Sequence, residues 1–335
     1  MITHSVVAVH ENSQTFAART AARETAERSG MNETDAHRVG LVATELATNL
    51  VKHTPGGGEL LIRFCERSAA EVELIAIDRG PGIRDIASAL RDGHSSAGSP
   101  GTGLGAVRRL SEEFDISSTP GHGTAVLARL RARRTPRARS GAFEIGVISQ
   151  AKPGETVCGD AWHVRQYPNS AAVLVADGLG HGLFASEASE AAVQAFEREP
   201  IGHETARALE SIHHAIRHTR GAAAAIADVN KDRGVVRFSG VGNIVGAVCL
   251  EGTLRQAVSN NGTLGHQAQH FREYLYPWAA DGVLVMHSDG LSGRWTLDRY
   301  PGLRLRDATL IAAILFRDFS RSRDDATVLV AREAA

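Results

Sequence analysis

Glu45 and Asn49 stand four residues apart in ELATNLVKH, inside a stretch whose apolar spacing predicts a helix from about Glu33 to His53. At that spacing both side chains leave one face of the helix. A carboxylate and an amide held there can orient a nucleophile and help ligate a magnesium–phosphate group, because Mg2+ takes oxygen ligands and few protein contacts. Taken alone, the pair reads better as ordinary exposed residues of an amphipathic helix. Two further motifs alter that balance. Ile75-Ala76-Ile77 runs straight into Asp78-Arg79-Gly80-Pro81-Gly82, which places a carboxylate at a strand end where it can accept a hydrogen bond from an exocyclic amine such as that of adenine. The glycines would let a flat ring approach the backbone, although strand–Asp–Gly–Pro–Gly is also a common turn. Gly101-Thr102-Gly103-Leu104-Gly105 then opens a predicted helix, whose free N–H groups could cradle phosphates.

A second set of carboxylates follows: Asp160 after Gly159, Asp177 with Gly178, Asp289 with Gly290, and the pair Asp324-Asp325. Asp-Gly alone is a turn former. Here, however, two apolar runs, Val173–Ala176 and Val283–His287, both lead into an Asp-Gly, so several carboxylates can converge from strand ends. Many hard oxygen donors with no Cys/His cluster point to Mg2+ or Mn2+ rather than zinc. Two such ions can activate a bridging water and clamp a phosphoryl group. Cys158 has no evident activating partner, and the pairs His214/His218 and His266/His270 lack an acidic third ligand in a recognisable pattern.

The elements that must position these residues fall into two groups. In the first, helices are expected at Ser13–Ser29, Glu33–His53, Ile86–Arg91 and Leu104–Phe114. Val39, Leu41, Val42, Leu46 and Leu50 lie roughly on one face of the second. Strands are expected at Leu60–Cys65, Val72–Ile77, Asp115–Ser118 and Thr124–Leu130, with a Gly/Ser-rich loop over His94–Thr102. In the second, strands are expected at Phe143–Ser149, Ala171–Ala176, Gly234–Ser239, Ile244–Leu250, Gly282–His287 and Thr327–Ala331. Helices at Leu183–Glu197 and Glu204–His218 lie between the early and late strands. Both halves are therefore α+β, the first as a two-layer sandwich. Between them Arg131–Ala142 carries five arginines, one proline and no large apolar residue. Without aromatics or amphipathic spacing it reads as a linker rather than an RNA contact.

A chain of 335 residues suits two domains. A net charge of −1 gives no general attraction to nucleic acid or anionic membranes. Three distant cysteines, Cys65, Cys158 and Cys249, draw no disulfide framework, and neither a signal peptide nor a membrane-spanning run is evident. A soluble, cytoplasmic protein is expected.

In order and spacing, LVATELATNLVKHTPGGG and DRGPGIRDIASALRDGHSSAG followed by GTGLGAVRRLSEEFDISSTPGHGT resemble the GHKL (Bergerat) ATP-binding fold of gyrase, Hsp90, histidine kinases and MutL. Within it they are most similar to the serine kinases of bacterial partner-switching pathways, the RsbT and anti-sigma-factor kinase type. That resemblance implies ATP and Mg2+ as cofactors, Asn49 on the metal, Glu45 as general base toward an acceptor serine and Asp78 on adenine. Gly80, Gly82, Gly101, Gly103, Leu104, Gly105 and Thr124 would shape the pocket, with His94–Thr102 as its lid. CGDAW, ADGLGHGLFASEAS, FSGVGNIVGAV, MHSDGLSG and RDDATVLVA resemble the PP2C-type (PPM) phosphatases of the SpoIIE/RsbX branch, which have an α-β-β-α sandwich. This second resemblance implies two Mn2+ or Mg2+ ions held by Asp160, Asp177, the Gly178 carbonyl, Asp289 and Asp324, with Asp325 ranked lower.

The expected organisation is a kinase domain over residues 1–131, a linker over 132–142 and a phosphatase domain over 143–335. The expected partners are a STAS-domain antagonist or stressosome-type protein as substrate, with a sigma factor or downstream phosphatase as further candidates. The rival expectation makes the first domain a nucleotide-dependent module that binds a partner or sigma factor without transferring phosphate. Retention of Glu45 favours the kinase, because binding alone needs no base.

Overall fold

The computed structural model describes residues 4–65, 70–91, 103–132, 141–200, 202, 204–321 and 323–334. Gly101, the whole of the expected lid His94–Thr102 and the centre of the Arg-rich linker lie outside them. The chain divides into two compact units, one formed by Ile2–Arg139 with Tyr300–Arg317 and the other by Ser140–Arg299 with Asp318–Ala335.

In the first unit, strand β1 (Ser5–Val9) leads to helices α1 (Asn12–Arg28) and α2 (Glu33–His53). Strands β2 (Gly58–Cys65) and β3 (Glu71–Asp78), short helix α3 (Ile86–Ala89), helix α4 (Gly103–Leu110), and strands β4 (Glu113–Ser118) and β5 (Thr124–Arg131) follow. The strands form one antiparallel sheet in the order β1-β2-β3-β5-β4. One face of that sheet, through Leu60, Ile62, Leu74, Val126 and Leu130, packs on Ala18, Ala22, Val39, Val42, Leu46 and Leu50 of α1 and α2. The two-layer sandwich is as expected. Asn32 caps α2 by accepting from the Asp35 amide at 2.9 Å, which fixes where the helix begins.

Two details differ from expectation. Leu41 is 45 % exposed: the buried stripe runs Val39, Val42, Leu46, Leu50, and Leu41 sits about 200° round the helix from Val39. The helix expected to reach Phe114 stops at Leu110, because Glu113 and Phe114 are taken into β4 opposite Arg129 and Ala128. Arg131, the first residue of the basic run, closes β5 and pairs with Glu71 and Glu113.

The other unit contains β6 (Phe143–Gln150), β7 (Asp160–Gln166), β8 (Ser170–Gly178), α5 (Leu183–Arg198), α6 (Thr205–Ala215), β9 (Ala222–Asn230), β10 (Val235–Val241), β11 (Val245–Leu250), β12 (Thr253–Gln256), β13 (Tyr274–Pro277) and β14 (Val283–His287). After β14, helix α7 (Ala308–Phe319) lies almost wholly in the Tyr300–Arg317 segment of the first unit, and β15 (Ala326–Glu333) completes the sheets. Two five-stranded antiparallel sheets, β13-β10-β9-β8-β7 and β12-β11-β14-β15-β6, enclose a core that includes Phe143, Val175, Phe238, Met286 and Leu329. Helices α5 and α6 cover the outer face of the first sheet through Phe196, Leu209 and Ile212 against Leu174, Ala224 and Ile226.

Tyr300–Arg317 is tied into the first unit by charge. Arg129 on β5 reaches both carboxylate oxygens of Asp307 at 2.7 and 3.0 Å and the Glu73 carboxylate at 2.8 Å. Burial alone would raise the pKa of Glu73, but Arg63 and Arg129 outweigh it and hold the carboxyl well below its usual range.

Candidate active sites

Helix α2 presents Glu45 and Asn49, both half-buried, one turn apart. The amide nitrogen of Asn49 is buried without a hydrogen-bond partner. Gly103, at the first turn of α4, comes so close that a Cβ there would lie 3.2 Å from Asn49 Oδ1. A larger residue would fill the gap between the amide and the N-terminus of α4, where the free N–H groups of that helix favour an anion.

Near Thr54, which caps the C-terminal end of α2, Asp78 closes β3. Its Oδ1 accepts from the Gly80 amide at 2.7 Å, and a Cβ on Gly80 would lie 2.9 Å from that same oxygen. Burial raises the pKa of Asp78, while the Gly80 and Thr124 amides, Arg317 and Thr54 pull the other way. Gly82 has φ +71°, and a Cβ there would stand 2.4 Å from the Thr119 carbonyl, so only glycine fits the turn. Thr124 is buried and shares a 2.8 Å hydrogen bond with Ser118. Gly105 is buried, and Leu104 packs onto the sandwich core. The structure thus places Glu45 and Asn49 on α2, Asp78, Gly80 and Gly82 at the β3 end and the turn after it, Gly103, Leu104 and Gly105 on α4, and Thr124 at the start of β5. Arg317 Nη1 donates to the Asp78 carbonyl at 2.9 Å, a contact no sequence motif announced.

In the second unit the carboxylates come from both sheets. Asp160 opens β7 directly opposite Asp177 near the end of β8. Asp289 follows β14, and Asp324 and Asp325 precede β15, its antiparallel neighbour. Glycines permit the convergence: a Cβ on Gly178 would strike the Ala185 carbonyl at 1.9 Å, and one on Gly290 the Asp325 carbonyl at 1.9 Å. Ser288 Oγ donates to Asp160 Oδ2 at 2.6 Å and accepts from the Thr327 amide at 3.0 Å. Asn243, in the β10–β11 turn, donates to Asp289 Oδ2 at 2.7 Å. Asn243 and Ser288 were missed as site residues, although both lie inside matched motifs. Asp324 is exposed and accepts from the Asp325 amide, whereas Asp325 is buried and accepts from the Lys152 amide.

The electrostatics are those of anions crowded together. Burial raises Asp177 to about 9, reinforced by repulsion from Asp160, Asp289, Asp324 and Asp325. Burial, with repulsion from Asp325 and Asp289, raises Asp160 to about 7 against the Ser288 hydrogen bond. Asp289 is raised by burial and by Asp324. Burial and the same acids push the Cys158 thiol far up, which leaves it inert. Asp160 Oδ1 and Asp325 Oδ2 are buried without partners. Orphaned hard oxygens in a repelling cluster fit divalent Mg2+ or Mn2+. Among the described residues no three acidic, histidine or cysteine side chains already form a ready ligand set.

A two-layer ATPase sandwich and an acid-lined double sheet on one chain define a class of phosphate-handling regulators, and the comparisons make it specific. Residues 9–130 match the histidine kinase-like ATPase domain and residues 168–333 match stage II sporulation protein E (SpoIIE). The chain is 36 % identical to the serine/threonine-protein kinase RsbT of Bacillus subtilis (strain 168) over 112 residues, 33 % of this chain and 84 % of that protein. It is 25 % identical to the phosphoserine phosphatase RsbX of the same organism over 142 residues, 42 % of this chain and 71 % of that protein. A solved structure from work on the bacterial stressosome aligns with a TM-score of 0.53 and 29 % identity, covering 57 % of this chain and 99 % of the other. The structure of RsbX in complex with magnesium aligns with a TM-score of 0.51 and 22 % identity over 59 % of this chain and 98 % of the other, a likeness of fold. The chain belongs to the histidine kinase-like ATPase family that includes RsbT, joined to a SpoIIE-type PP2C phosphatase domain. This is the domain content of a partner-switching regulator. Among the described residues no helix is long and apolar enough to cross a membrane.

Proposed function

We propose that the chain both adds and removes one regulatory phosphate. The first unit would transfer the γ-phosphoryl group of ATP to a serine or threonine of a STAS-domain protein, and the second would hydrolyse phosphoserine or phosphothreonine on the same or a related partner. The observation that carries the kinase half is Glu45, one turn before Asn49 on α2 and half-buried beside it. Nucleotide binding needs the amide and the glycines, whereas only phosphotransfer needs a base. Asn49 would hold Mg2+, and the Asp78 carboxylate would accept from the adenine amine. The acceptor hydroxyl oxygen would bond to the γ-phosphorus as its proton passes to Glu45 and ADP departs.

In the second unit Asp160, Asp177, the Gly178 carbonyl, Asp289 and Asp324 would hold two Mn2+ or Mg2+ ions, with Asp325 buried against them. When bound, such ions supply an activated water and neutralise phosphoryl charge. The chain's own contribution is orientation: Ser288 fixes one oxygen of Asp160, Asn243 fixes one of Asp289, and the glycines bring the strand ends together.

The test uses labelled ATP and a STAS-domain protein with the full chain, Glu45→Ala and Asp177→Ala. The proposal expects no label on the partner with Glu45→Ala and longer-lived label with Asp177→Ala. If Asp177→Ala binds ATP yet labels no partner, the kinase half fails and the first unit is a nucleotide-dependent binding module.

A further inference from the structure

Single exposed apolar residues are ordinary on a protein surface. Leu179, Leu183 and Phe184 are not single. They are 57 %, 62 % and 55 % exposed and lie in the one short segment that leaves Asp177 and Gly178 and enters α5. That segment is held rather than loose: the Leu179 amide donates to the Gly221 carbonyl at 3.0 Å, and His181 bonds Glu155 at 2.7 Å. The same rim carries a cation. Arg220 precedes β9, whose Ala222 pairs with Gly178, and its guanidinium lies 4.5 Å from the centre of the Phe184 ring. Its Nη1 stands 3.5 Å from where a Cβ on Gly180 would be.

An apolar shelf with one oriented cation, continuous with a loop of the acid cluster, has a definite complement. A phosphate approaching that cluster is repelled by its crowded carboxylates until metal is bound, so a guanidinium at the rim offsets the repulsion and guides the anion. The shelf beside it suits an apolar side chain next in sequence to the phosphorylated residue. We propose that Leu179, Leu183, Phe184 and Arg220 form the docking surface for the phosphorylated segment of the protein substrate. Arg220 meets the incoming phosphate, and Leu183 and Phe184 receive a flanking apolar residue. This rests on the phosphoprotein reading of the second unit and adds the sequence class that it selects.

The test compares a peptide carrying one phosphoserine flanked by leucines with a matched peptide flanked by serines. Both are given to the full chain with Mn2+, and kcat/KM is measured; fluorescence anisotropy of both on the metal-free protein is a second readout. The wild type should favour the leucine peptide about tenfold, the size expected from burying part of a leucine. Leu183→Ser and Phe184→Ser should bring that ratio to about one. Arg220→Ala should weaken both peptides about tenfold, with partial rescue by Arg220→Lys. A wild type indifferent to the flanks, or variants that keep its preference, would overturn the docking surface and leave the phosphatase assignment standing. Hydrolysis of p-nitrophenyl phosphate but of neither peptide would overturn the phosphoprotein reading and the surface together. A changed sedimentation coefficient for Leu183→Ser with unchanged peptide preference would assign the shelf to a second copy of the chain, which also overturns the proposal.

Discussion

Metal binding to the second unit should be driven by pH in a predictable sense. Asp177 is raised to about 9 and Asp160 to about 7, so near neutrality in metal-free protein the first is almost wholly protonated and the second about half so. A divalent ion needs both as carboxylates, and binding at pH 7 should therefore release at least one proton per chain. Between pH 7 and 9, where Asp177 still titrates, apparent affinity should rise about tenfold per pH unit. Stability of the metal-free protein should move the opposite way. A carboxyl whose folded pKa is raised contributes stability fully present below its unfolded value of 3.8 and lost as pH rises through about 7 and about 9. Titration calorimetry of Mn2+ binding in buffers of different ionisation enthalpy measures the protons. Thermal unfolding from pH 5 to 9, with chelator and with Mn2+, measures the stability. Asp177→Asn, which carries no proton to release, should reduce proton release and flatten the chelator profile. Metal affinity that is level from pH 6 to 9, with no proton release, would refute the picture of carboxylates protonated by crowding.

Three other outcomes follow from the geometry. Asn243→Ala should weaken metal binding about 10- to 100-fold through loss of its bond to Asp289, read by calorimetry, while the thermal midpoint with chelator stays nearly constant. Arg129→Ala should cost about 3–5 kcal/mol of stability in urea denaturation, because it leaves Glu73 and Asp307 buried or half-buried without their shared cation. Glu73 works in the acid range: with its folded pKa depressed, its stability is present above the unfolded 4.5 and lost as pH falls through the folded value. Glu73→Gln should therefore blunt acid unfolding below pH 4.5 in a circular-dichroism titration.

Much of the ATPase unit was legible because its elements obey simple periods. Helix α2 follows the apolar spacing of Val39, Val42, Leu46 and Leu50, while β2 begins at a glycine-rich turn and β3 ends at one. What escaped did so for physical reasons. Strand β9 reads AAAAIADVN, and alanine carries little strand signal until neighbouring strands bury it. Strand β7 begins with buried Asp160, so the residue that marks the site also disguises the strand. Helix α7 is buried on every side over Ala308–Arg317 and has no polar stripe to reveal a helical period. In the phosphatase site, repeated Asp-Gly endings announced the carboxylates, whereas Ser288 and Asn243 act only through hydrogen bonds that register alone creates.

The pairing of Arg129 with Asp307 sets a timetable for synthesis. The two residues are 178 positions apart, so at about 5–20 residues per second a nascent chain waits about 10 to 35 s between making the guanidinium and making its carboxylate. Through that interval Arg129 has Glu73 and Glu113 but not Asp307, and Arg317 has yet to reach the Asp78 carbonyl. A chain cut at the Arg-rich linker never leaves that state. The gene can be divided there, but the first folding unit cannot, and moving the second half onto another protein would carry away Tyr300–Arg317 of the first.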